Sequence, residues 1–332
     1  MTNDLWLGPS HGKVVAICGG VGGAKLALGL QRMLGPDLSV VVNTGDDFEH
    51  LGLMISPDLD TVLYTLGGLS DEERGWGRSN ESWAFMQTLA SLGGEAWFQL
   101  GDRDLALHVQ RTRRLRAGET LTQVAEAIAG RFGIAAKILP MSDDPVRTTV
   151  VTDQGRLPFQ RYFVEHRCQP VVHSLEFEGA SEARPSRAVL AALADPALRA
   201  VVICPSNPYL SIDPILAVPG LARALAAVAA PVVAVSPIIG GKAVKGPTAK
   251  IMDELGVPKT SRAIARHYDE LIDGLVIDES DAVETERLGV PALATKTLMR
   301  DIADRENLAR ESLWFADRIA EVGVPHRESR RA

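Results

Sequence analysis

The feature that most constrains this chain is a repeated unit: a short apolar run, rich in β-branched residues, that stops at a turn. KVVAIC (13–18) runs into GGVGG and LSVVV (38–42) into NTGDD. RAVVIC (199–204) runs into PSNP, PVVAV (231–235) into SPIIGG, and LIDGLVID (271–278) into ESD. Runs of this length, with little polar alternation, read as buried strands. Helical patterns separate them; AKLALGLQRML, directly after the first glycine turn, is amphipathic. Strands alternating with helices predict right-handed crossovers and a mainly parallel sheet. Ligands of such sheets sit beyond the carboxyl ends of the strands, so these turns are expected to converge on one crevice.

Other stretches fill in the outline. SPDLDTVLYTLGG opens a helix, with Ser56 or Asp58 as its cap and Pro57 in its first turn. Residues 71–101 hold Trp76, Trp83 and Trp97 and read as an insertion or lid. LGDRDLALHVQRTRRLRAGETLTQVAEAIAGRFG reads as two helices, and AAKILPMSDDPVRTTVVT as alternating strand and loop. Residues 155–190 have polar strands and no clear period. The expected division is an extension over 1–12, one α/β domain over 13–320 with an insertion at about 71–190, and a flexible tail over 321–332.

Composition excludes several classes. Hydrophobic residues make up 46% and charged residues 23%, which fits a globular chain and excludes a disordered or collagen-like one. The net charge of −7 argues against duplex nucleic acid as a partner. Cys18, Cys168 and Cys204 are far apart with no CxxC, which disfavours a thiolate zinc site or a disulfide framework and suits a reducing cytoplasm. MTNDLWLGPSHG lacks the apolar core of a secretory signal. The uncharged stretch 224–241 contains Pro231 and Pro237, so it reads as a helix followed by a buried strand rather than as a membrane span.

Several turns carry chemistry. GGVGGAK (19–25) either cradles a phosphate on backbone N–H groups at a helix start or is only a tight turn. It is neither a P-loop nor GxGxxG, because Ala24, Lys25 and Leu26 break both patterns. NTGDD and PDLD place four carboxylates within fifteen residues. They suit Mg²⁺, which takes one or two carboxylates together with water and substrate phosphates, or they cap turns and helices. Arg103, between two aspartates, is the best site candidate on a basic helix whose other arginines read as a solvated face. His50 and His108 lack metal-type spacing. MSDDPV reads as an Asx-type turn. Ser206 and Asn207, with Lys242, Lys245 and Lys250, suit a nucleotide or diphosphate. The absence of GxSxG and HExxH leaves serine-triad and zincin chemistry without support.

Taken together and in order, GGVGGAK, NTGDD, ISPDLDTVLYTLGG, GWGRSNESW, LGDRD, ILPMSDDPV, PSNP and SPIIGGKAVKGP resemble the 2-phospho-L-lactate transferase (CofD) family of coenzyme F420 biosynthesis, over residues 13 to 298. The resemblance implies an α/β fold: a Rossmann-like, mainly parallel sheet with helices on both faces and a smaller inserted helical or lid region. It implies transfer of a phospholactyl-type group, in bacteria usually a phosphoenolpyruvyl group, from a guanosine diphosphate donor to the ribityl hydroxyl of the deazaflavin Fo. GMP leaves, Mg²⁺ shields the diphosphate, and the expected assembly is a homodimer. Asp60 matches the aspartate that contacts the acceptor. Gln99 holds the second acceptor position, where archaeal members carry lysine. Asp47 matches the strand-end acid near the metal, so Asp47 and Asp60 are the expected catalytic and metal-holding residues. Gly19, Gly20, Gly22, Gly23, Lys25, Ser206, Asn207, Gly240 and Lys242 are expected around the nucleotide. A regulatory, nucleotide-sensing branch of the same superfamily shares the glycine loop and is the alternative.

Overall fold

The computed structural model describes residues 12–323 apart from Lys245. Residues 1–11 and 324–332, most of the expected extension and tail, lie outside the described residues, as does Lys245 among the expected lysines. The apolar runs form strands of one seven-stranded sheet: β1 (Lys13–Cys18), β2 (Leu38–Val42), β3 (Lys137–Pro140), β4 (Leu198–Ile203), β5 (Val232–Val235), β6 (Gly274–Asp278) and β7 (Ala292–Thr295). Its order is β7-β6-β5-β4-β1-β2-β3 and every pairing is parallel. The chain builds outward from β1 through β2 to β3, then restarts at β4 on the other side of β1. Strand order therefore reverses between β1 and β4, where such folds place their ligand crevice.

The strands are apolar throughout because both faces are covered. Val14, Ala16 and Cys18 of β1 join one core, with the helices α1 (Gly20–Leu34), α2 (Pro57–Leu66) and Ile302–Val322. Val15 and Ile17 point the other way, into a second core beneath helices Arg187–Leu193, Leu221–Ala227 and Ser261–Tyr268. Gly29 permits the close crossing of α1 on the Ile302–Val322 helix: a Cβ there would lie 2.2 Å from the Arg305 carbonyl oxygen. The uncharged 224–241 stretch divides as expected, with Leu221–Ala227 helical and Val232–Val235 in the sheet. No single helix among the described residues is long and apolar enough to cross a membrane.

The segment 71–190 is not wholly an insertion. It contributes α3 (Ala84–Ser91), α4 (Asp102–Arg116) and α5 (Leu121–Arg131), but also β3, an edge strand of the main sheet. The polar stretch 155–190 supplies Gly155–Pro158 and Val172–Glu178, which flank Arg147–Thr152 in a small antiparallel sheet. A hairpin absent from the sequence reading pairs Phe48–His50 with Leu53–Ile55. Its loop holds Leu51 at φ 52 and Gly52 at φ 72. Two consecutive positive φ angles suit a tight hairpin, and Leu in place of Asn or Asp hides the turn signal.

Candidate active site

Because all seven strands run the same way, their carboxyl ends share one edge of the sheet. The turns after β1 and β4 are locked together there. Ser206 Oγ accepts the Gly19 N–H at 3.1 Å and donates to the Gly19 carbonyl at 2.9 Å. The glycines are required by these contacts alone. A Cβ on Gly22 would lie 2.5 Å from the Pro205 carbonyl oxygen, and one on Gly23 would lie 2.4 Å from Ser206 Oγ. Gly20 has φ +66, a left-handed conformation that favours glycine.

The anion at the start of α1 is supplied by the protein. Asp58 Oδ1 accepts the Gly20 N–H at 2.6 Å, and its Oδ2 accepts Asn43 Nδ2 at 2.9 Å. A buried aspartate from α2 thus sits where a helix N-terminus favours negative charge. Burial pushes the Asp58 carboxyl up to about 6, against the hydrogen bonds from Asn43 and Gly20. Asp58 does not cap its own helix, and neither does Ser56, whose hydroxyl donates to Asp47 Oδ2 at 2.8 Å.

Beyond NTGDD lies a cavity of about 410 Å³, between that loop, the hairpin Phe48–Ile55, Trp97 and the small antiparallel sheet. Asp46, Asp47, His50, Trp97, Arg147 and Arg161 line it. Asp46 Oδ1 and Asp47 Oδ1 are both buried without a partner, as are His50 Nε2 and Thr148 Oγ1. Burial drives the Asp46 carboxyl well up, and the neighbouring Asp58 and Asp47 charges add to it. Burial also raises Asp47 to about 7, opposed by Arg147 and by the Ser56 hydrogen bond. The Trp97 ring packs against His50 at 5.2 Å and carries the Arg161 guanidinium at 4.2 Å. Glu95 binds both, accepting Trp97 Nε1 at 3.2 Å and Arg161 Nη2 at 3.3 Å.

Asp60 is elsewhere: buried, and gripped by Arg111. Arg111 Nη1 donates to Asp60 Oδ2 at 3.1 Å and Nη2 donates to Asp60 Oδ1. Burial raises the Asp60 carboxyl while Arg111 and His108 pull it down. Both Asp60 oxygens face the Arg111 guanidinium, which leaves Asp60 less open to a cation than Asp47. Asp46 and Asp47 fit better. Each keeps one buried unpartnered oxygen, the half-open donor set that Mg²⁺ completes with water and phosphate. Among the described residues no three His, Cys, Asp or Glu side chains converge on one point, as a closed metal site would need.

The remaining expected residues are dispersed. Gln99 is exposed, donates to the Ala96 carbonyl at 2.7 Å, and does not line the cavity. Lys25 Nζ donates to the Met299 carbonyl at 3.0 Å. Asn207 Oδ1 accepts the Tyr209 and Leu210 N–H groups, while its Nδ2 is buried without a partner. Gly240 donates its N–H to Asp281, and Lys242 is exposed. Lys250 is held by Glu254 and the Pro170 carbonyl. Asp143 accepts the Thr122 N–H, and Asp144 pairs with Arg184, so both acids of MSDDPV serve structure. Trp76 and Trp83 stack around Arg74, so only Trp97 of the three reaches the cavity.

Sequence reasoning chose Arg103 on α4 and missed Arg111. Arg103 is exposed, whereas Arg111 is fully buried. The signal was present: Asp104, Leu107, His108, Arg111 and Thr112 recur at i, i+3, i+4, i+7 and i+8, the spacing of one helix face. Arg161 was missed because residues 155–190 show no period, and Arg147 because a strand start after MSDDPV carries no site signal of its own.

Residues 14–311 match the family described as 2-phospho-L-lactate transferase CofD. The chain belongs to the CofD family. A phosphoenolpyruvate transferase of Kitasatospora aureofaciens is 42% identical over 92% of this chain and 98% of its own length. Enzymes of the same name from Streptomyces coelicolor and Mycobacterium bovis are 40% and 41% identical, each over 93% of this chain and all of theirs. A Bacillus halodurans protein of the UPF0052 family superposes with a TM-score of 0.61 at 16% identity, over 92% of this chain and all of the other. The last likeness concerns the fold alone. The CofD-family chain is thus a transferase built on a Rossmann-like α/β sheet.

Proposed function

We propose that this enzyme moves a phosphoenolpyruvyl or phospholactyl group from its guanosine diphosphate donor to the ribityl hydroxyl of Fo, in coenzyme F420 biosynthesis. One observation carries the reading: two buried carboxylates with unpartnered oxygens border the same cavity as two arginines, at the carboxyl edge of a parallel sheet. That combination suits a diphosphate with a cation. The acceptor oxygen forms a bond to the donor's distal phosphorus, and the bond from that phosphorus to the bridging oxygen breaks. GMP leaves with the bridging oxygen and its electron pair, and the hydroxyl proton passes to a base. Mg²⁺ held by Asp46 and Asp47 would offset the diphosphate charge.

The protein's own part is positioning and charge, which is most of what such a transfer requires. Ser56 fixes the Asp47 carboxylate by its 2.8 Å hydrogen bond. The Trp97 ring, braced by Arg161 and Glu95, gives the cavity one flat wall suited to an aromatic acceptor. Burial of Asp46 and Asp47 keeps their surroundings low in dielectric, where electrostatic contacts count for more than in water. The test is incubation with Fo, Mg²⁺ and, in turn, the enolpyruvyl, lactyl and glyceryl guanosine diphosphates. Mass spectrometry should show GMP released in step with Fo consumed for at least one donor. No GMP with any of the three overturns the reading.

A further inference from the structure

The two arginines of the cavity differ in what they already hold. Arg161 is spent: it pairs with Glu165 at 3.0 Å and Glu95 at 3.3 Å and lies on the Trp97 ring. Arg147 is not. Among the described residues its guanidinium makes one hydrogen bond, from Nη1 to the adjacent Val146 carbonyl at 2.8 Å, and no ion pair. The register of the small sheet places Glu178 opposite Arg147. Its Oε1 accepts Thr149 Oγ1 at 2.8 Å and Arg156 Nη2 at 3.0 Å rather than Arg147.

Arg147 is half-buried at the cavity wall. Asp46 and Asp47 line the same cavity, and among the described residues no ion pair joins either to Arg147. The cavity wall thus carries two buried carboxylates and a guanidinium that holds no carboxylate among the described residues. A ligand that satisfies both carries metal-binding oxygens at one end and a second oxyanion at the other. Guanidinium geometry favours planar, bidentate oxyanions.

We infer that Arg147 is the specificity residue that binds the oxyanion of the donor's transferred group. This rests on the transferase reading above. The oxyanion comes from either of two sources, the carboxylate of the three-carbon acid or the oxygens of its phosphate.

The test uses Arg147→Gln and Arg147→Lys in the full chain, with folding checked by urea unfolding. Phosphoenolpyruvate and glycerol 1-phosphate serve as competitive inhibitors against the full donor, and GMP binding is measured by calorimetry. In Arg147→Gln the donor KM should rise at least about 10-fold, with GMP affinity and the Fo KM held within about 2-fold. Arg147→Lys, which keeps the charge and loses the fork, should fall between Gln and wild type. Inhibition by phosphoenolpyruvate alone weakening identifies the carboxylate; equal weakening for glycerol 1-phosphate identifies the phosphate. A folded Arg147→Gln with wild-type donor KM and wild-type inhibition overturns the inference. So does a loss of GMP affinity equal to the loss for donor, which would put Arg147 on the nucleotide. A wild-type enzyme inactive with every donor sinks the transferase reading itself, so the two failures are distinct.

Discussion

Arg111 and Asp60 form a two-pronged ion pair with the guanidinium fully buried. The same guanidinium donates to the Met54 carbonyl at 3.3 Å, so α4, α2 and the hairpin beside the cavity meet on one charge. This geometry makes Asp60 a structural anchor whatever else it does. Removing one partner of a buried pair strands the other, which costs about 3–5 kcal/mol.

Asp60→Asn is therefore expected to lower stability by about 3 kcal/mol in urea unfolding and turnover by at least about 10²-fold. The double variant Asp60→Asn with Arg111→Met removes both charges and should recover much of the stability. If turnover recovers with it, Asp60 acts through the fold. If turnover stays low in the restabilised protein, Asp60 touches the acceptor.

Asp47→Asn has a different signature. Its Oδ2 keeps a partner in Ser56, and its Oδ1 has none. Loss of the charge should leave stability unchanged or raise it by about 1 kcal/mol, because burial disfavours the charged form. The Mg²⁺ concentration for half-maximal rate should rise at least about 10-fold, and chelation with EDTA should silence wild type and variant alike. A variant with wild-type Mg²⁺ dependence removes Asp47 from the metal site.

Trp97 and Trp76 make a paired test of the acceptor wall. Trp97 lines the cavity, whereas Trp76 lies half-exposed beside Arg74 and Trp83. Trp97→Leu should raise the Fo KM about 10-fold and abolish most of the quenching of protein fluorescence by Fo. Trp76→Phe should change neither. Equal effects from the two substitutions would place the ring outside this cavity.

What was legible in the sequence was what periodicity and order can carry. The runs at 13–18, 38–42 and 232–235 are apolar without a break, so buried parallel strands follow. Chain order then sets the edge at which GGVGG, NTGDD and PSN meet. Pairing across that edge was not legible. Nothing local says that Asp58 turns back to the Gly20 N–H, 38 residues away, or that Arg111 reaches Asp60 across 51. The glycine turn is instructive, since its glycines suit phosphate approach and also the close packing on Pro205 and Ser206. The cavity's second wall comes from 147–161: 147–152 reads as strand, but the exposed strand and irregular turn at 155–161 leave no pattern to read.

Asp58 gives the pH test. Its folded carboxyl lies at about 6, above the ordinary 3.8. The folded state therefore holds its proton more tightly than the unfolded chain does. The resulting stability is fully present below about pH 4 and is lost as pH rises through about 6. Asp47, at about 7, acts in the same direction and extends the decline towards neutrality. His50, held below its ordinary value by burial, acts oppositely near pH 6, so the informative quantity is a difference between proteins. Asp58→Asn keeps a carbonyl oxygen for the Gly20 N–H and does not titrate. In metal-free buffer, wild type should lose on the order of 2 kcal/mol more stability than Asp58→Asn between pH 4 and 7, measured by urea unfolding. Parallel profiles for the two proteins would mean that Asp58 is ionised throughout. The start of α1 would then be held by a full negative charge, which would repel a phosphate approaching the glycine turn.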